Sequence, residues 1–271
     1  MQALSERLDG ALRGARLAAA EPLSFSALKT VRPKPADLVG GRVERVGRRA
    51  KYLLFDVEGG RIAVHLSQGG RVELEPSAKT TRPKGAVVRL AFDPGPAVLV
   101  KEYGTERKAA WWVLALGADG PLACLGPEPD SPQFARLVRE STERRQVHAL
   151  LRDQRAVAGI GRGYADDIVH RARLSPFSPL GTLSADERER LLAAVTEVLD
   201  GALEGERSRT GGLPPKLGER FVVHGQHGRP CPECGTDLRR VSFGSHEVTY
   251  CPACQTGGKV LADRRLSRLV R

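Results

Sequence analysis

The chain has 271 residues, 41% of them apolar, enough to bury one large core or two to three small ones. No apolar run is long enough to span a bilayer, and the N-terminus lacks the charged-then-apolar order of a signal peptide, so a cytosolic protein is expected. The net charge of +11 points to an acidic partner, with nucleic acid first, although a basic balance alone is a weak sign in an Arg- and Ala-rich chain.

Leu4, Leu8 and Leu12 recur at i, i+4 and i+8 and predict a short helix over 2–13. A stretch with Pro33 and Pro35 reads as loop. From Gly40 the pattern changes to short strands: Val43 and Val46, Tyr52–Phe55, a turn at Glu58-Gly-Gly60, then Ile62–Leu66. More follow at Val72–Leu74, Ala86–Phe92, Ala97–Val100 and Trp111–Leu116. Many short strands between turn residues predict a β-sandwich or barrel, ending near Gly126-Pro127. Cys124, in Pro121-Leu-Ala-Cys-Leu, reads as a small apolar filler.

The pattern then turns helical. Ser131 caps a helix with Pro132 at its first position and Phe134, Leu137 and Val138 on its apolar face. A second helix is predicted from about Arg145 to Gln154, and a third from near Tyr164 with Ile168, Val169 and Ala172 inward. Ser184-Ala-Asp-Glu187 is a capping box. It opens a long helix with Leu191, Leu192, Val195, Leu199, Ala202 and Leu203 on one side, ended by Gly211-Gly212 and Pro214-Pro215. A basic tail holds Lys259, Arg264, Arg265, Arg268 and Arg271. No internal repeat is present.

Four of the five cysteines form two pairs, Cys231-Pro-Glu-Cys234 and Cys251-Pro-Ala-Cys254, with sixteen residues between them. Two such pairs supply the four thiolates of a structural zinc site. Disulfides are disfavoured in a chain without a secretory signal. Four-thiolate zinc leaves no open coordination position, so the ion holds shape and performs no chemistry. Leu238–Phe243 and His246–Tyr250 flank Gly244-Ser245 and read as a β-hairpin with one cysteine pair at each base.

Ala158-Gly-Ile-Gly-Arg-Gly-Tyr164 lies between two predicted helices. Its glycines let backbone N–H groups converge at a helix N-terminus, which favours an anion such as a DNA phosphate. A tight corner that needs glycine for steric reasons fits equally, and Arg162 favours phosphate. The spacing is not that of a dinucleotide fingerprint, and no strand precedes it. Arg42, Arg45, Arg48, Arg49 and Lys51 form a basic cluster before a strand: a solvated face, or a reach to phosphate.

Together these segments resemble the formamidopyrimidine-DNA glycosylase / endonuclease VIII (Fpg/Nei) family of base-excision repair enzymes. The resemblance rests on Gly47-Arg-Arg-Ala-Lys-Tyr-Leu-Leu54, His65-Leu-Ser-Gln-Gly-Gly70, Asp153-Gln-Arg-Ala-Val-Ala-Gly-Ile-Gly161 with Tyr164-Ala-Asp166, Phe221-Val-Val-His-Gly225, and the cysteines ending in Cys254-Gln255. These matches run in family order over nearly the whole chain. The resemblance implies an α+β multidomain protein: an N-terminal β-sandwich over 1–125, a helix–two-turn–helix domain over 126–222, and a zinc-finger hairpin with basic tail over 223–271. It implies a monomer, cytoplasmic and associated with the nucleoid, whose partner is damaged double-stranded DNA. The implied activity flips out an oxidised base, cleaves its glycosidic bond and nicks the strand as an AP lyase.

By the same resemblance, Lys51 is the lysine that contacts phosphate near the lesion, and Cys231, Cys234, Cys251 and Cys254 bind Zn2+. Arg162 stands where the family has asparagine, with more charge and reach toward phosphate. His246 takes the place of a DNA-gripping arginine, and its charge depends on pH. Gln68 replaces a methionine of the void-filling loops, and Arg107-Lys108 fall where Arg and Phe are expected. The family begins Pro-Glu, the proline amine acting as nucleophile and the glutamate handling protons. This chain begins Met1-Gln-Ala-Leu-Ser-Glu6, and Leu4 and Leu8 place Met1 several residues past that proline. Glu6 then falls on the first helix, and no catalytic residue is assigned. A start placed too far downstream accounts for this, and so does a real loss of catalysis. The second case describes a rival: a DNA-binding protein that kept the scaffold and lost the chemistry. A zinc-ribbon RNA-binding protein, a third reading, would not need the glycine turn.

Overall fold

Short strands that bury apolar side chains build the first half of the chain. In the computed structural model, which describes residues 1–103, 106–209, 221–243 and 246–262, the chain divides into two units. The first is Met1–Cys124 with the described part of Arg207–Leu213. It opens with helix α1 (Gln2–Leu12), whose Leu8 and Leu12 are buried. Two four-stranded antiparallel sheets follow. One has the order β1-β6-β7-β5: Arg16–Pro22, Ala86–Asp93, Ala97–Glu102 and Gly70–Glu75. The other has the order β2-β3-β4-β8: Val43–Arg49, Tyr52–Val57, Gly60–His65 and Ala110–Ala115.

Strand side chains alternate faces, so Leu53, Phe55 and Val57 of β3 point into one core. Ile62 and Val64 of β4 and Trp111 and Val113 of β8 join them, with Leu17, Val88, Leu90, Val98 and Val100 from the other sheet. Each such side chain, fully buried, contributes roughly 1.5–3 kcal/mol. Asp9 of α1 accepts the Val46 N–H at 2.7 Å and fixes the helix on β2. Strand β1 was not among the predicted elements. Its Arg-Leu-Ala-Ala-Ala-Glu-Pro run carries little β propensity, and pairing with β6 makes it a strand (Leu17 opposite Phe92, Ala20 opposite Leu90).

The second unit is Leu125–Glu206 with the described part of Pro214–Arg271. Helix α2 (Pro132–Glu140) is capped as expected, the Ser131 hydroxyl accepting the Phe134 N–H at 3.3 Å. Helix α3 spans only Val147–Arg152, shorter than the predicted 145–154, because Asp153 turns extended. Helix α4 covers Arg162–Arg171. The long helix α5, Ala185–Arg207, opens on the reciprocal Ser184–Glu187 capping box. Phe134, Val138, Leu150, Ile168, Val169, Leu191 and Val195 share its core. Strands β9 (Arg239–Phe243) and β10 (His246–Tyr250) form the predicted hairpin, followed by the short α6 (Pro252–Thr256). The Gly244-Ser245 turn, the Gly211–Pro215 helix stop and the arginines of the tail lie outside the described residues. Cys124 is exposed and fills no core, since its segment lies in the irregular stretch after β8.

Candidate metal centre and nucleic-acid interface

Each cysteine pair forms a tight knuckle. In the first, Cys231 N donates to Thr236 O at 2.9 Å and Gly235 N to Cys231 O at 2.8 Å, with Gly235 in the left-handed region at φ +74°. In the second, Cys254 N donates to Cys251 Sγ at 3.5 Å as α6 begins. The four sulfurs lie within 4.8 Å of one another, with Cys231–Cys254 at 4.0 Å and Cys234–Cys251 at 3.4 Å. Tetrahedral zinc with Zn–S of about 2.3 Å sets sulfurs about 3.8 Å apart, so the cluster fits the ion. Hydrogen bonds from Thr236 hold the Cys234 thiol down to about 6, whereas burial and the neighbouring sulfurs push Cys251 and Cys254 up. Only a cation lets all four ionise side by side. Cys231, Cys234, Cys251 and Cys254 form the site of a structural zinc ion.

Helix α4 holds this module through two buried carboxylates. Asp166 accepts from His148 Nε2 at 2.7 Å, His224 Nδ1 at 2.6 Å and Thr249 N at 3.1 Å. Burial alone would raise its pKa, but the bonds from His148 and His224 outweigh that and hold it below the usual carboxylate range. Asp167 gathers the N–H groups of Val222, Val223 and His224 at 2.9, 2.9 and 3.2 Å, and burial still pushes its pKa up. At the zinc end, Gln255 accepts the Cys251 N–H and donates to Leu174 O, both at 2.8 Å. Sequence reading placed Asp166 and Gln255 in family motifs without these roles.

The glycine turn between α3 and α4 is closed by one side chain. Gln154 Oε1 accepts the Gly159 N–H at 2.9 Å, while its Nε2 donates to Ile160 O at 2.9 Å and Arg152 O at 3.1 Å. Gly159 has φ +106°, which a side chain would strain. At Gly163 a Cβ would enter the ring of Phe221, so steric need explains that glycine. Arg162 is the first residue of α4, half-buried, and among the described residues no hydrogen bond or ion pair holds its side chain. Arg152, half-buried at the end of α3, faces the same corner. Burial and then the Arg162 guanidinium pull its pKa down, with the Asp166 carboxylate acting the other way. The sequence signal for Arg152 was available: a cation closing an otherwise apolar helix, eight residues into the segment that starts at Arg145.

Lys51 follows Ala50, a left-handed residue at φ +53°, in the β2–β3 turn. Its ammonium, after burial, helps push the His65 pKa down. Arg107 is exposed in the irregular segment before β8. Lys51 and Arg107 belong to the first unit, and Arg162 and the four cysteines to the second. The His246 backbone pairs opposite Phe243, while its side chain lies outside the described residues. Glu6 forms an ion pair with Arg207 at 2.8 Å. Hydrogen bonds from Arg207 and Gln2 lower its pKa to about 2, so it stays ionised and cannot shuttle protons near neutrality.

Three family patterns match in order. They are the formamidopyrimidine-DNA glycosylase N-terminal domain over residues 1–105, the formamidopyrimidine-DNA glycosylase H2TH domain over 125–211, and a zinc finger found in FPG and IleRS over 228–257. A formamidopyrimidine-DNA glycosylase of Thermus thermophilus is 37% identical over 233 residues, covering 81% of this chain and 84% of that protein. An uncharacterised formamidopyrimidine-DNA glycosylase-like protein of Mycobacterium tuberculosis is 41% identical over 153 residues, 54% of this chain and 94% of its own length. Among solved structures, the Lactococcus lactis formamidopyrimidine-DNA glycosylase, bound non-covalently to DNA containing an abasic site, has the same fold. Its TM-score is 0.81 at 21% identity, covering 94% of this chain and 97% of that one.

Proposed function

The chain belongs to the formamidopyrimidine-DNA glycosylase family, and we propose that it is a base-excision-repair glycosylase that removes oxidised bases from duplex DNA and then nicks the strand as an AP lyase. The observation that carries this reading is the order of the three matched segments, joined to a glycine turn with Arg152 and Arg162 beside a helix N-terminus. Such a corner attracts a backbone phosphate through charge and N–H donors. Phosphate contacts fix the register of a protein on DNA, and extrusion of the damaged nucleotide then brings the base to the protein.

Lys51, Arg107, Arg162 and His246 are assigned to DNA, with Arg152 added to the Arg162 corner. The functional segments are 1–125, 126–222 and 223–271. The protein acts as a monomer in the cytoplasm, at the nucleoid. In the reaction implied by family membership, a terminal secondary amine attacks the sugar C1′, the base departs and an imine remains, which opens the way to elimination. A terminal amine, with a pKa near ~8, is partly neutral at physiological pH, whereas an ordinary lysine near ~10.4 is not. Lys51 is therefore assigned to phosphate, and no residue from 1 to 271 is assigned as nucleophile.

The test is borohydride trapping and base release on a duplex with one oxidised purine. The chain as it stands is compared with one carrying Pro-Glu-Leu-Pro-Glu ahead of it. Release and trapping by the extended chain support the reading. Binding by both without release or trapping by either supports the rival, a non-catalytic protein on the same scaffold.

A further inference from the structure

A side chain outside the cysteine set touches the metal centre. His170 lies near the end of α4, is only 4% exposed, and sets its Nε2 3.2 Å from Cys231 Sγ. A zinc-bound thiolate carries no proton and only accepts, so the ring nitrogen that faces it must bear the hydrogen. Four thiolates outweigh the charge of one zinc ion, and the excess sits on sulfur. Other sulfurs have donors of their own: Cys254 N–H reaches Cys251 at 3.5 Å, and Thr236 serves Cys234. For Cys231 the donor comes from a helix of the DNA-binding turn, 61 residues away in sequence.

We propose that His170 is a positioning residue of the zinc centre, its Nε2–H donating to the Cys231 thiolate and thereby tying the ion's retention to helix α4. This rests on the zinc reading of the cysteines. The bond draws electron density from one sulfur and fixes the direction of its lone pairs, as outer-shell partners do at other metal sites. It also joins the finger to the helix whose first residue is Arg162, so that loss of the ion loosens one wall of the phosphate corner.

The experiment uses the full chain with its zinc, measured first by elemental analysis. Absence of stoichiometric metal there would overturn the zinc reading itself, separately from the role of His170. His170→Leu fills the space without a donor, and His170→Gln keeps an N–H of similar reach. Zinc transfer to a chromophoric chelator is expected to run about 10-fold faster or more in His170→Leu, in line with lost outer-shell partners. In the cobalt-substituted chain the sulfur-to-metal charge-transfer band should move to lower energy in His170→Leu, because an unbonded thiolate gives up charge more readily. His170→Gln should restore both readouts. If His170→Leu does not fold, His170→Asn, too short to reach the sulfur, takes its place with the same expectations. An unmoved band with unchanged release, or equal changes in the Gln and Leu variants, would reduce His170 to a packing neighbour.

Discussion

At Arg162 one guanidinium should account for about one phosphate. Arg162→Ala is expected to lower the slope of log K against log salt by about one unit, measured by anisotropy on a labelled duplex. Arg152→Ala should act in the same direction, since its guanidinium shares the corner. An unchanged slope in both would leave the glycine turn a purely steric device. Asp166 carries a different kind of load. Asp166→Ala strands the donors of His148, His224 and Thr249, at about 1–3 kcal/mol for each donor left unsatisfied. Its folded pKa is depressed, so its stabilisation is fully present above the unfolded value of about 3.9 and disappears as pH falls through the folded value. Acid titration of the melting midpoint should therefore be shallower in Asp166→Asn than in the parent. Equal slopes would remove Asp166 from the acid response.

Helix α4 serves both ends of its unit, with Arg162 at its start and Asp166, Asp167 and His170 facing the finger. Gly163 lets Phe221 lie against it. Gly163→Ala is expected to destabilise the unit by about 1–3 kcal/mol through overpacking, read as a lowered thermal midpoint. A neutral result would mean that Phe221 swings away at little cost. The finger itself has a small apolar cluster, chiefly Val223 and Leu238 beside the cysteines, and depends on its ion. Chelation should release one zinc per chain, unfold the hairpin and weaken duplex binding. Full affinity after complete zinc removal would separate the finger from DNA recognition.

Over the whole molecule, the formal charge of +11 favours any polyanion, and only selectivity distinguishes repair from adhesion. The chain should prefer a duplex with an oxidised base over both undamaged duplex and RNA, with the preference persisting as salt weakens all three. Equal affinity for RNA in competition would revive the zinc-ribbon reading. Lys51 belongs to the first unit, which has a core of large apolar side chains and a buried Arg89 paired with Glu75 at 2.8 Å.

The sequence by itself determined what depends on near neighbours. The short apolar runs between turn residues over β3, β4 and β8, the Leu8–Leu12 step of α1, the Ser131 and Ser184 caps and the two cysteine pairs are patterns within a few residues, and each became the expected element. The family motifs likewise pointed to the right scaffold because their spacing is local. What the tertiary structure decided lies at longer range. Strand β1 exists because β6 pairs with it. Gln255 of α6 reaches Leu174 O across 81 residues. Asp166 meets His224 across 58 residues and Thr249 across 83, and no local signal announces such a meeting. A buried carboxylate is tolerated only where donors converge on it, and their convergence is a property of the packed fold.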